Sequence, residues 1–136
     1  MKVLVDTSVW SAVLRRDTPQ QLHAAELRAL IDDGRVEIIG PIRQELLSGV
    51  RDSRAFELLE KRLAAFPDLP IRTCDYVEAA RFFNACRAEG VQGSNVDFLL
   101  CAVAARNGLS IYTVDRDFAR YAKHLPIVLH APRAAS

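Results

Sequence analysis

At 136 residues, half of them apolar and about a quarter charged, the chain has the size and composition of one globular domain with room for a core. Its longest apolar run, the eight residues Phe98 to Ala105, falls well short of a membrane span, and Asp6 breaks the apolar start too early for a secretory leader, so a cytoplasmic protein with no membrane partner is expected. Cys74, Cys86 and Cys101 are too few and too scattered for a disulfide framework or a structural zinc site and read as small buried hydrophobes; net charge is only +1, although 15 of the 18 basic residues are arginine, whose planar fork suits phosphate.

Val3-Leu4-Val5 has no polar alternation and predicts a strand buried on both faces, hence a central strand of a parallel sheet. Asp6 stands at its carboxyl tip, where open α/β sheets bind ligands. Asp6, Thr7 or Ser8 equally suits the cap of the next helix. Val9, Trp10, Val13 and Leu14 give Thr7 to Arg16 a helical spacing. Thr18 and Pro19 suit the start of a second helix whose core face is marked by Leu22, Leu27, Leu30 and Ile31, and Asp32-Asp33-Gly34 ends it. Val36 to Ile39 predicts the second strand. Gly40-Pro41 closes that strand and opens a helix over Ile42 to Leu47, with Ile42, Leu46 and Leu47 turned to the core and Glu45 left near the strand's tip.

Phe56, Leu58, Leu59, Leu63 and Phe66 predict a helix within Ser53 to Phe66, stopped by Pro67 and Pro70; Ile71 opens a short strand at most. Asp75 can cap a helix over Tyr76 to Ala88, marked by Val77, Ala80, Phe83 and Arg87 and halted by Gly90. Core is the commoner use of such a strip, and an exposed one would be a partner surface. Ser94 or Asn95 then caps a nearly all-apolar helix with Asp97 in its first turn. The helix dipole alone stabilises an acid there by ~0.3–1 kcal/mol, and a carboxylate at the mouth of a buried helix is well matched by a cation. Gly108 closes that helix, and Ser110 to Val114 predicts a strand running into Asp115-Arg116-Asp117. Asp-rich turns are common, but this is the second strand to end in acid beside hydroxyl. A short helix over Phe118 to Lys123 and a strand over Ile127 to Leu129 complete a single domain over residues 1–131, with a flexible tail over 132–136.

Alternating helices and strands predict a mainly parallel central sheet with helices on both sides. In that fold Asp6, Asp115 and Asp117 lie at carboxyl tips while Glu45 and Asp97 open helices along the same edge, so all five can converge on one cleft. Crowded carboxylates need a counter-charge. Oxygen donors without clustered His or Cys point to Mg²⁺, with Mn²⁺ as a substitute. Magnesium keeps sites for phosphate oxygens, and two such ions can serve an in-line displacement, so metal-dependent phosphodiester hydrolysis is the reaction these residues suit. His23, His124 and His130 fall away from the predicted strand tips, and none is assigned as a general base.

Strand-Asp-Thr-Ser at the amino end, Pro-x-x-x-Glu after the second strand, Asp97 entering an Ala-rich helix and Tyr-Thr-x-Asp-x-Asp-Phe near the end together resemble the PIN-domain ribonucleases of the VapC toxin family, over essentially the full length. The resemblance implies a PIN-like three-layer α/β/α sandwich and an Mg²⁺-dependent endoribonuclease, the toxin of a type II toxin–antitoxin pair, homodimeric and inhibited by a VapB-like antitoxin. Asp6, Glu45, Asp97 and Asp115 match that family's acidic quartet, Asp117 an auxiliary acid, and Thr7 and Thr113 hydroxyls that orient carboxylates. Asp6 and Asp97 are expected to bind metal directly, with Asp115 and Asp117 beside them, and Glu45 and Asp115 are open to action through water. Arg15, Arg16, Arg43, Arg51 and Arg116 are candidate RNA-phosphate contacts by their closeness to the predicted cleft. Two other readings compete: a phosphate-accepting receiver module, for which Lys123 is the sole candidate lysine, and a non-catalytic RNA-binding PIN-like domain.

Overall fold

The computed structural model describes residues 1–14 and 21–133, so Arg15, Arg16, Thr18 and Pro19 lie outside the described residues. The chain opens with β1 (Val3–Val5), whose side chains point alternately to opposite faces and are all fully buried. Helices therefore cover both faces of the central sheet. The order continues through α1 (Thr7–Leu14), α2 (Gln21–Asp32), β2 (Val36–Glu37), α3 (Gly40–Leu47), α4 (Ser53–Leu63), α5 (Thr73–Ala88), α6 (Asn95–Asn107), β3 (Ser110–Tyr112), α7 (Asp117–Ala122) and β4 (Val128–Leu129).

The four strands lie in the order β2-β1-β3-β4, all parallel, with Val3 opposite Val36 on one side and Val5 opposite Tyr112 on the other. From β1 the chain first steps outward to β2, then returns to add β3 and β4 on the opposite side. That reversal makes the gap between the carboxyl ends of β1 and β3 the topological switch point, the usual ligand crevice of a doubly wound sheet. Register fixes what stands there: the residues following Val5 and Tyr112 are Asp6 and Thr113.

Three expected strands are shorter than their composition suggests: β3 stops at Tyr112, β4 starts at Val128, and β2 is the most curtailed. β2 is two residues long, and Ile38 continues it only through an isolated parallel bridge to Asp68, with the Leu69 N–H donating to the Ile38 carbonyl at 2.8 Å. Pro67 and Pro70 flank that bridge, and a residue without an N–H cannot extend the ladder. The strand considered at Ile71 is accordingly absent from the described elements.

Several helices turn a different face inward from the one expected. In α2, Leu27 and Leu30 are buried, but Leu22 and Ile31 are exposed. In α4, capped by Asp52 rather than begun freely at Ser53, Leu59 and Leu63 are buried while Phe56 and Leu58 reach solvent. In α5 the buried residues are Asp75, Ala79, Phe82 and Cys86, which leaves Val77 exposed. Asp75 does not cap that helix from outside. It occupies the third helical position, where Oδ2 accepts the Arg72 N–H at 2.9 Å. Arg106, at the far end of α6, grips the same carboxylate with Nε to Oδ1 at 2.6 Å and Nη2 to Oδ2 at 2.9 Å. That bidentate hold keeps the Asp75 carboxyl below its ordinary range against the opposing effect of burial. α5 and α6 are thereby pinned head to tail. α6 itself buries Phe98 through Ala104 without a break, as its composition predicts, and Gly108 ends it in the left-handed region at φ 65°. Cys86 and Cys101 are core residues, but Cys74 is exposed.

Arg133, placed by expectation in the tail, reaches back to Asp33 at 3.1 Å and to Glu26 at 3.4 Å. Glu26 is almost wholly buried, and its Oε2 meets His130 Nε2 at 2.6 Å.

Candidate active site

Of the two roles the sequence leaves open for Asp6, the structure shows the cap. As the cap of α1, its carbonyl accepts the Val9 N–H at 3.1 Å and its Oδ2 accepts the Ser8 N–H at 3.3 Å. Oδ2 also receives the Ser8 hydroxyl at 2.7 Å and the Thr113 hydroxyl at 2.9 Å. Each hydroxyl has one proton to give. With both committed to Asp6, Thr113 Oγ1 is free to accept the Asp115 N–H at 3.0 Å and Ser8 Oγ the Val114 N–H at 3.1 Å. Oδ1 of this nearly buried carboxylate accepts no hydrogen bond among the described residues.

The other acids repeat the pattern. Glu45, exposed on α3, accepts the Thr7 hydroxyl on Oε1 at 2.8 Å. Asp97, in the first turn of α6 where Ser94 caps its N–H at 3.1 Å, accepts the Tyr121 hydroxyl on Oδ2 at 2.8 Å. Asp115 accepts the Asp117 N–H on Oδ1 at 2.9 Å. In each case the second carboxylate oxygen has no hydrogen-bond donor among the described residues. Asp117 starts α7, and its side chain has one partner among the described residues, Arg120 at 3.9 Å.

Asp6, Asp97 and Asp115 share one electrostatic field. Burial raises the Asp97 carboxyl above its ordinary value, the Tyr121 hydroxyl and, more weakly, that of Ser94 pull the other way, and the charges of Asp6 and Asp115 raise it further. The Tyr121 phenol is likewise raised, first by burial and then by Asp97, Asp117 and Asp115. Glu45 joins this group only through Thr7, the neighbour of Asp6 in the chain. Among the described residues, no three His, Cys, Asp or Glu side chains already stand as a set that could hold a metal ion. An all-oxygen donor set, with one oxygen of each acid held by a hydroxyl or an amide and the other left over, nevertheless fits a hard divalent ion.

The remaining candidates divide. Arg43 points away from this edge: its Nε pairs with Asp68 at 2.9 Å, Nη1 donates to the Leu63 carbonyl at 2.9 Å and Nη2 to that of Phe66, so it clasps the turn after α4 rather than offering a fork to phosphate. Arg51 and Arg116 are exposed and make no side-chain hydrogen bond or ion pair among the described residues. His130, expected away from a strand tip, directly follows β4, but its ring meets Glu26 and packs on Tyr112 at 5.1 Å; His23 Nδ1 lies 2.6 Å from the Tyr112 hydroxyl. Burial, with the charge of Glu26, pushes that hydroxyl up to about 12. Sequence reasoning missed two residues at the crevice. Ser8 carried a signal, an acid two positions before a hydroxyl. Tyr121, 24 positions from Asp97, carried none.

A doubly wound domain with an acid-lined crevice at its switch point is the architecture of a PIN domain, and the PIN domain family model matches residues 3–124. The chain is 32% identical over 120 residues to VapC ribonuclease Mb1587 of Mycobacterium bovis and to ribonuclease VapC11 of Mycobacterium tuberculosis, spanning 85% of this chain and 88% of each relative. It belongs to the PIN-domain family, among the VapC ribonucleases. In fold it is similar to FitAcB from Neisseria gonorrhoeae, with TM-score 0.77 at 21% identity over 96% of this chain and 97% of that one. VapBC2 from Rickettsia felis, bound to a DNA fragment from its promoter, gives 0.73 at 14% identity over 96% and 98%.

Proposed function

We infer that this protein is an Mg²⁺-dependent endoribonuclease and the toxin of a type II toxin–antitoxin pair. The observation that carries the inference is the row of half-satisfied carboxylates at the β1/β3 switch point. Family membership supports the same reading and sets aside the receiver module, whose required lysine is represented only by Lys123 at the carboxyl end of α7.

Asp6 and Asp97 would hold the ion, with Asp115 and Asp117 beside them. When bound, Mg²⁺ or Mn²⁺ supplies Lewis acidity and counter-charge for a phosphodiester and the water that attacks it. The chain does the positioning. Ser8 and Thr113 immobilise one oxygen of Asp6, so the other is presented without a choice of rotamer. Thr7 holds Glu45 by a single oxygen, leaving Oε2 of this exposed side chain to orient water or take up its proton. Of the arginines weighed as RNA contacts, Arg51 and Arg116 are the described ones that remain free to meet an RNA backbone.

Several of the solved structures of similar fold are of proteins paired as VapBC or FitAB. A VapB-like antitoxin that covers the crevice is the corresponding partner here. Homodimer formation is part of the same reading, and the exposed Tyr76 and Val77 on α5 lie beside a groove of about 350 Å³ that also involves Ala80, Phe83, Val96 and Leu99. Purified protein incubated with total RNA in Mg²⁺ is expected to yield discrete cuts that cease with chelator and return with Mn²⁺. Cutting that survives excess chelator would refute the metal requirement, and intact RNA under every metal condition would favour the non-catalytic domain.

A further inference from the structure

We propose that Tyr121 is a positioning residue: its phenol, given room by the missing side chain at Gly93, fixes the Asp97 carboxylate so that Oδ1 remains available to a divalent cation. The inference rests on the reading of the crevice given above.

The argument begins with packing. Tyr121 is fully buried, its ring 4.8 Å from that of Phe98 on α6 and 5.1 Å from that of Phe118 on its own helix. Two aromatic neighbours set the ring, and the ring sets where its hydroxyl lies. That hydroxyl has one partner among the described residues, Asp97 Oδ2 at 2.8 Å. The terminal torsion of an aspartate is broad and roughly two-fold, so an unheld carboxylate turns freely. Here one oxygen is held from a fixed point, and the other is thereby placed as well.

Gly93 adds an independent observation. A Cβ at this position would overlap the Tyr121 hydroxyl oxygen and come within 2.7 Å of Cζ and 3.0 Å of Phe98 Cε2. Its φ is not in the left-handed region, so the position calls for glycine by space and not by backbone conformation. Core packing alone would be met by phenylalanine at 121, without a polar group that is unfavourable in an apolar cluster unless bonded. The hydroxyl and the glycine both make sense through Asp97.

The test is Mn²⁺ titration of RNA-free protein by calorimetry, alongside the Mn²⁺ dependence of RNA cleavage. Tyr121→Phe keeps the ring and is expected to remain folded, melting below the parent by no more than Thr113→Val does, while its Mn²⁺ dissociation constant rises about tenfold or more, the usual effect of losing the group that orients a ligand. The metal-activation curve for cleavage should move by the same factor, with much of the maximal rate regained at saturating Mn²⁺. Gly93→Ala should weaken Mn²⁺ binding similarly, and adding it to Tyr121→Phe should weaken binding little further, since both act through one hydrogen bond. Mn²⁺ affinity within about twofold of the parent in Tyr121→Phe, or additive losses in the double variant, would overturn the proposal. Asp97→Asn separates the two levels. If it loses Mn²⁺ while Tyr121→Phe keeps it, only the role of Tyr121 falls; if it binds Mn²⁺ like the parent, the reading of the crevice falls too.

Discussion

Replacing Thr113 by valine keeps the branched shape and removes one oxygen, which makes it a direct measure of how Asp6 is held. That oxygen donates to Asp6 Oδ2 at 2.9 Å and accepts the Asp115 N–H at 3.0 Å. Asp115 is exposed, so water can replace the second bond. The first is a bond to a nearly buried carboxylate, and hydrogen bonds to charged groups contribute about 1.5–3 kcal/mol. Ser8 remains on the same oxygen, so the loss should lie in that range without approaching the larger penalty of an unpaired buried charge. For a domain of this length it corresponds to a fall in melting temperature of roughly 5–10 °C, measured by thermal unfolding in metal-free buffer. In an Asp6→Asn background the same substitution removes a bond to a neutral acceptor and should cost about 1 kcal/mol. Equal costs in both backgrounds, or a melting point unchanged by Thr113→Val, would refute the assignment of Thr113 to Asp6.

Asp97→Asn is expected to abolish cleavage yet make the metal-free protein more stable. Burial and the charges of Asp6 and Asp115 raise the Asp97 carboxyl, so the folded state binds that proton more tightly than the unfolded chain, whose value is near the ordinary 3.8. Stability of the metal-free parent should therefore fall as pH rises from there through the raised value, and the variant should lose that slope; a parent and variant with parallel pH profiles would count against it. Asp75, lowered by Arg106, works in the opposite sense: its contribution is full above the ordinary carboxylate value and is lost as pH falls through its lowered one. Arg43→Ala should destabilise the fold by about 2–3 kcal/mol by freeing the turn after α4, yet leave the salt dependence of RNA binding unchanged. A drop of about 0.7 in that logarithmic slope would restore Arg43 as a phosphate contact.

What could be read in advance was what the chain states locally. Val3-Leu4-Val5 before an acid, seven buried residues in a row after Asp97 and Gly108 behind them each name an element and its burial without reference to anything distant. The inward faces of α2, α4 and α5 could not be read the same way. In α5 both Val77-Ala80-Phe83 and Ala79-Phe82-Cys86 satisfy helical spacing, and only the approach of α6, with Arg106 seeking Asp75, decides between them. The acids were visible because each follows a strand or opens a helix. The groups that hold them were visible only when adjacent: Ser8 beside Asp6 is legible, whereas Tyr121 on Asp97 and His130 on Glu26 join positions that only the folded chain brings together.

The crevice is closed by β3 pairing beside β1, and this has a bearing on synthesis. Asp6 is synthesised before the hydroxyl that completes its setting, which comes 107 positions later. A nascent chain thus carries its first acid long before Thr113, Asp115 and Tyr121 have been translated. Until β3 has been made and pairs beside β1, nothing brings these side chains together.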